Sequence, residues 1–283
     1  MSGSYFIPIE KLAGYTDTLE MNAEEGIFLF GLAEPSIKSF LPPPLELPDP
    51  ENPLFYLYIV NIREPSFAPW YMEGGIGVIA QYGNQAGMYF FSLMLSGPGA
   101  LMGMFAGRES CGLPKKLCER IVVERTNEHG HCFIERNGVR LVDVELEIGQ
   151  YNIPDYRLDQ ERATELPEGV AIGGGCLQHR YLLEKGGGAQ NMDLVFIDSP
   201  TRYYSWEPAT AQLKLCSSID DPYGEIPLTS VIGAAWSKCD NTIEKVSSLY
   251  SYPQDDADEV MQYLFAGRFD QSLLGREHQR YSS

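Results

Sequence analysis

The chain has 283 residues, with 21 Lys and Arg against 39 Asp and Glu for a formal charge of -18, and 44% of its residues are hydrophobic. A charge this negative repels nucleic-acid phosphates and anionic lipid surfaces, and no basic stripe interleaved with aromatics offsets it, which argues against both as partners. The opening MSGSYFIPIEKLAG has no basic n-region and no long apolar stretch, so a cytoplasmic protein is expected. Six cysteines without a CxxC pair read as reduced, mostly buried thiols.

Taken in chain order, the spacing predicts a short helical turn over 35–40. An extended, proline-rich crossing of the surface follows over 41–53 (LPPPLELPDPENP). Length alone suggests about two domains. The segments before this stretch are too short to bury a core, so one domain over 1–283 is expected.

Residues 74–107 form 34 consecutive positions without a formal charge, enough on count for a transmembrane span. Gly83 with Asn84, and SGPG at 96–99, cut the run into strand lengths. Buried strands are therefore expected over 77–82, 88–95 and 100–106. In HCFIERNGVRLVDVELEIG, Asn137 and Gly138 lie between two alternating runs and predict a hairpin with a type I′ turn. Strands follow over 193–197 and 209–216, and a helix over 228–236. A C-terminal helix opened by Asp255 and Asp256 carries Val260, Met261, Leu264 and Phe265 at helical spacing, stops at Gly267, and reads as peripheral packing. The pattern is α+β and mostly antiparallel β.

GRESCGLPKKL, residues 107–117, ends the uncharged run and abruptly presents Arg108, Glu109, Lys115 and Lys116. Adjacent lysines on an extended segment point to opposite faces, so at most one enters a pocket; Gly112 and Pro114 supply the turn that aims them. With a pKa near 10.4, only about 0.04% of a lysine is neutral at pH 7, and a drop of about four units, roughly 5 kcal/mol, makes the free amine dominant. Desolvation at the mouth of an apolar wall supplies shifts of that size.

This string resembles the signature of the acetoacetate decarboxylase family, whose first lysine forms a Schiff base with a ketone; that enzyme is itself a standard case of an amine activated by desolvation and a neighbouring cation. The resemblance extends to YMEGGIGVIA (71–80), to LPPPLEL, and to EPATAQLKLCSSIDDPYGEIPLTSVIGAAWS (207–237). It implies a β-barrel or sandwich with a few peripheral helices, in a homo-oligomer. Lys115 is then the imine-forming residue, Lys116 its neighbour and Glu73 the active-site carboxylate, with Arg108 and Glu109 in support. The implied reaction is decarboxylation of a small β-keto acid by a lyase, with the protonated imine as electron sink and neither metal nor organic cofactor required.

Two positions depart from the decarboxylase pattern. LEMNAEEGIFLFG (19–31) carries acidic residues where the family has an arginine, leaving Arg63 or Arg108 as substitutes, and Tyr58 stands in place of a second family glutamate. Schiff-base aldol condensation and dehydration of a keto acid is the alternative chemistry, with Tyr58 and Tyr82 as proton donors; a non-catalytic pocket protein of the same fold is another.

His129, His131 and Cys132 (EHGHC) place two imidazoles on one strand face, but no third ligand has recognisable spacing, so no metal site is expected. Asp220, Asp221 and Glu225 (IDDPYGEIP) read as a turn, because the calcium-loop spacing is absent. The triple glycines at 173–175 and 186–188 lack the Gly-Lys-Ser/Thr end of a phosphate loop and read as flexible turns.

Overall fold

The structure, a computed structural model, describes residues 5–16, 19–156, 171–185 and 188–274. Its centre is one large, mostly antiparallel sheet. From one edge to the other run β14 (Lys245–Ser251), β11 (Gly188–Asp198), β10 (Gly175–Glu184), β4 (Gln85–Ser96), β3 (Tyr71–Tyr82) and β2 (Leu54–Pro65). The order continues through β1 (Leu19–Ala33), β13 (Leu228–Ile243), β12 (Thr201–Leu215), β8 (Val139–Ile148), β7 (His129–Arg136) and β6 (Arg120–Thr126). The short β5 (Lys115–Leu117) runs parallel to β4, and β9 (Ala171–Ile172) pairs with β12. Among the described residues the two edges do not pair, so the sheet folds over itself as a sandwich and does not close into a barrel.

The central strands are apolar on both faces. Ile27, Leu29, Leu57, Ile59, Ile76 and Val78 point into one core, which the β6–β8 meander covers with Ile134, Val142 and Val144. Phe28, Phe30, Tyr56, Val60, Leu93 and Leu95 point into a second core, closed by Tyr203, Trp206 and Ile197. Strands buried on both sides need no polar alternation, which is why 74–96 reads as a nearly continuous apolar run. No described helix is long and apolar enough to cross a membrane.

Several expectations hold. β7 and β8 meet at Asn137 and Gly138, whose φ values of 53° and 74° are those of a type I′ turn. All six cysteines are free, four of them buried.

Others are corrected. Residues 100–106 are not a strand: α2 spans Ala100–Cys111, after a first short helix α1 (Ile9–Thr16). Ala, Leu and Met are strong helix formers, and Gly97, at φ 104°, breaks the preceding strand. Ala100, Gly103, Gly107 and Cys111 then form a buried stripe at helical spacing, hidden in the sequence because small residues carry little hydrophobic contrast. Residues 228–236 are not a helix but half of β13, fixed by pairing with β1 on one side and β12 on the other, a long-range constraint that overrides local spacing. The proline-rich segment does not merely cross the surface: Leu41, Leu45 and Leu47 plug the first core. Of the triple glycines, Gly175 is a strand residue of β10 packed against the Ile197 carbonyl, whereas Gly186 and Gly187 lie outside the described residues.

The C-terminal helix α3 (Gln254–Arg268) does more than pack peripherally. Arg268, buried, donates to the carbonyls of Gly112 and His179 and lies 4.2 Å over the Tyr181 ring, bracing the turn that precedes the lysine pair.

Candidate active site

The lysine pair is aimed by how α2 ends. Gly112 takes φ 78° as the left-handed cap, and its N–H bonds back to the Arg108 carbonyl at 3.1 Å. The chain then turns through Leu113 and Pro114 into β5, where Lys115 lies opposite Leu93 of β4. The pleat sends the two lysines to opposite faces, as expected, but both are buried, at 5% and 3% exposure.

Lys115 enters the second core. Its Nζ lies 2.7 Å from Glu73 Oε2, and the Tyr58 hydroxyl donates to Glu73 Oε1 at 2.5 Å. Tyr58 and Glu73 share this face because Tyr58 pairs with Gly75, two residues along β3 from Glu73. Burial, reinforced by the charge of Glu73 and the hydrogen bond to it, holds the Tyr58 hydroxyl well above the usual phenol range, so it is a donor at neutral pH.

Lys116 is not in the pocket. It donates to Asp221 Oδ1 and to the Asp220 carbonyl, both at 2.8 Å, and lies 3.3 Å from Asp270. Arg136 bridges the same two acids, 2.7 Å from Asp221 and 2.9 Å from Asp270. The segment read as a turn thus supplies the buried anchor of the second lysine, and sequence spacing offered no sign of it.

The other expected supports do not reach the cavity. Arg108 stacks 5.2 Å over Phe269, Glu109 is exposed, and Tyr82 packs on Tyr250 beside a surface groove. Arg63, 55% exposed, pairs with Glu25 at 2.5 Å. His129 and His131 face Glu147 and Asp143 at 2.7 Å, while Cys132 turns into the first core.

The cavity ahead of Lys115 measures about 130 Å3, close to the roughly 150 Å3 that accommodates a benzene-sized molecule. Its walls are Phe28, Tyr56, Phe67, Tyr71, Phe90 and Leu93, with uncharged polar groups from Ser199, Thr201 and Asn241. Among the described residues that line it, Lys115 is the sole cation, and two carboxyl side chains, Glu73 and Glu24, face it.

Glu24 went unrecognised in the sequence. With both faces of β1 apolar, alternation could not say whether Glu24 or Glu25 points inward. It is 7% exposed, and burial, then the charges of Glu73 and Asp240, push its carboxyl up to about 8 despite Lys115. Folding therefore favours its protonated form. That contribution is complete below about 4.5, where the unfolded chain's carboxyl is protonated too, and is lost as the pH climbs to about 8. Denaturant titrations of Glu24→Gln and the parent at pH 5 and pH 9 are expected to show the variant losing less stability between them, by on the order of 4 kcal/mol.

Gly107 makes room for the amine: a Cβ there would lie 2.6 Å from Lys115 Cε and 3.0 Å from Nζ. Gly107→Ala is expected to leave the thermal midpoint near the parent value, since alanine favours the helix, while shifting Nζ enough to slow attack of the Lys115 amine on a carbonyl reagent by about 10²-fold. Stopped-flow trapping beside a melting curve measures both.

A CLA biosynthesis isomerase from Lactiplantibacillus plantarum is 28% identical over 284 residues, covering 98% of this chain and 99% of that protein. In fold, the chain is similar to an acetoacetate decarboxylase from Legionella pneumophila, with a TM-score of 0.69 at 14% identity over 89% of this chain and 99% of that one. It is also similar to MppR, an enduracididine biosynthesis enzyme complexed with the condensation product of pyruvate and imidazole 4-carboxaldehyde, with a TM-score of 0.61 at 12% identity over 83% and 90% of the two chains. With its lysine-bearing turn and its glutamate strand both inside the matching residues 12–252, the chain belongs to the acetoacetate decarboxylase (ADC) family.

Proposed function

We propose that the protein is a Schiff-base enzyme in which Lys115 condenses with a ketone and the buried carboxylates move protons at carbons conjugated to the imine, an isomerase rather than a decarboxylase. The observation that carries this reading is the charge of the cavity: one ammonium, the Glu73 carboxylate paired with it, a Glu24 carboxyl whose burial favours its protonated form, and no arginine among the described lining residues. A departing carboxylate held beside the imine needs a cation to orient it, and the one ammonium is already paired with Glu73, which repels a second carboxylate. A neutral ketone meets no such penalty. The relative named as a CLA biosynthesis isomerase supports an isomerase over a decarboxylase.

Glu73, 2.7 Å from Nζ, takes a proton from the ammonium, and the free amine adds to the carbonyl. Tyr58, hydrogen-bonded to Glu73, supplies the proton that lets the carbinolamine oxygen leave as water and takes back the one Glu73 had accepted, so that Tyr58 is a phenol and Glu73 a carboxylate again. The iminium then draws electrons from the adjacent carbon, whose proton Glu73 is placed to accept. Reprotonation further along the conjugated chain, followed by hydrolysis, releases a ketone with a shifted double bond.

The test is borohydride reduction in the presence of 4-hexen-2-one, with acetoacetate in parallel. A mass adduct on Lys115, conversion of 4-hexen-2-one to 3-hexen-2-one and no carbon dioxide from acetoacetate are expected. Carbon dioxide without isomerisation would establish a decarboxylase instead, and no adduct from either compound would leave a non-catalytic pocket protein.

A further inference from the structure

We propose that Glu24 is a second catalytic acid, delivering its proton to a substrate carbon remote from the one that Glu73 serves. This rests on the Schiff-base reading of Lys115. Glu24 reaches the cavity through an irregularity of β1. Met21 pairs with Asn241 and Glu24 with Cys239, so β1 spends three residues where β13 spends two. The extra residue is a bulge, a device that re-aims a side chain. Ala23 within it adopts φ 52°, a left-handed conformation uncommon for a residue with a Cβ, and its N–H donates to Asp240 Oδ1 at 2.8 Å. Asp240 is itself held by the Tyr204 hydroxyl at 2.6 Å.

The consequence is a break in alternation. Leu19 and Met21 line the cavity, and three residues after Met21 Glu24 does so again. Unbroken alternation would send Glu25 inward. Glu25 instead faces outward, where Arg63 and the Trp236 indole take it up. The fold therefore places a strained residue so that one specific carboxyl, and not its neighbour, enters an aromatic cavity. Among the described residues, no hydrogen-bond donor is recorded for that carboxyl, in contrast to Glu73, which is held by Lys115 and Tyr58. An unpartnered acid that is nine-tenths buried and faces a ligand-sized space is costly unless a substrate uses it.

The environment keeps the two acids in different states. Glu73 is a carboxylate paired with Lys115. The ionisable groups around Glu24 are Glu73 and Asp240, which favour its protonated form, and Lys115, which opposes them; the hydroxyls of Tyr56, Tyr58 and Tyr203 and the thiol of Cys239 all hold their protons. One base and one acid in a single cavity suit a proton shift along a conjugated chain. The C–H bond between the iminium and the alkene breaks, its proton passes to Glu73, and the electron pair forms a dienamine. The dienamine pushes a pair to its terminal carbon, which takes the proton from the Glu24 O–H. The iminium is restored with the double bond moved, Glu73 has gained one proton, Glu24 has lost one, and exchange with water resets both.

In D2O, the parent protein is expected to convert 4-hexen-2-one to 3-hexen-2-one carrying deuterium at the γ carbon, read by NMR. Glu24→Gln is expected to trap the ketone on Lys115 as the parent does, to exchange the proton next to the imine, and to lose γ deuteration by about 10²- to 10⁴-fold. In the parent, γ deuteration is also expected to fall as the pH rises past about 8; this measurement needs no variant to fold. Deuteration by Glu24→Gln at the parental rate, or a trapped imine in the parent with no deuterium at the γ carbon, overturns the role of Glu24 alone. Failure of the parent to trap any imine sinks the Schiff-base reading and this proposal with it.

Discussion

Lys115→Met is expected to abolish the reductive adduct and to lower turnover by about 10⁴-fold or more, the scale seen when a nucleophile acting with its base is lost. The same change should destabilise the protein. It leaves Glu73, 7% exposed, without the ammonium at 2.7 Å, and stripping one partner from a buried ion pair costs about 3–5 kcal/mol because the remaining charge is uncompensated. Adding Glu73→Gln removes that charge, so Lys115→Met with Glu73→Gln should recover most of the stability and none of the activity. Denaturant midpoints beside the trapping assay separate the two effects. If the single variant keeps parental activity, Lys115 is not the imine-forming residue.

Asp221→Ala carries the largest expected effect away from the cavity. Asp221 is 1% exposed and takes hydrogen bonds from Lys116 at 2.8 Å and Arg136 at 2.7 Å. Its removal leaves two cations sharing Asp270, which is less buried. A loss of about 3–5 kcal/mol follows, with a fall in thermal midpoint on the order of 10 °C. Because Lys116 adjoins Lys115 on a three-residue strand, imine formation should slow in parallel. A melting curve unchanged from the parent would mean that the network does not anchor the pair.

The resemblance carried by GRESCGLPKKL and YMEGGIGVIA singled out Lys115, Glu73 and Tyr58, and the fold brings these three side chains together. The Asn137–Gly138 turn was identifiable too, because each of these signals sits in a few consecutive residues. Arg108 and Glu109, supports implied by the resemblance, and Tyr82, a proton donor in the aldol alternative, do not reach the cavity. A strand reading of 100–106 concealed the helix that carries Arg108 and Glu109 past the cavity rather than into it. Glu24 was written in the sequence as one of two adjacent glutamates, without any mark to choose between them.

Periodicity and turn chemistry therefore determined the β-rich class, the apolar wall and the lysine pair at its end, since these depend on backbone preferences over a handful of neighbours. Register and charge pairing were decided only in three dimensions. The bulge that turns Glu24 inward depends on Asp240, 217 residues beyond Ala23, and the anchor of Lys116 comes from 105 residues away. A side chain buried between two apolar faces takes its direction from the strand beside it, and no local pattern encodes that partner.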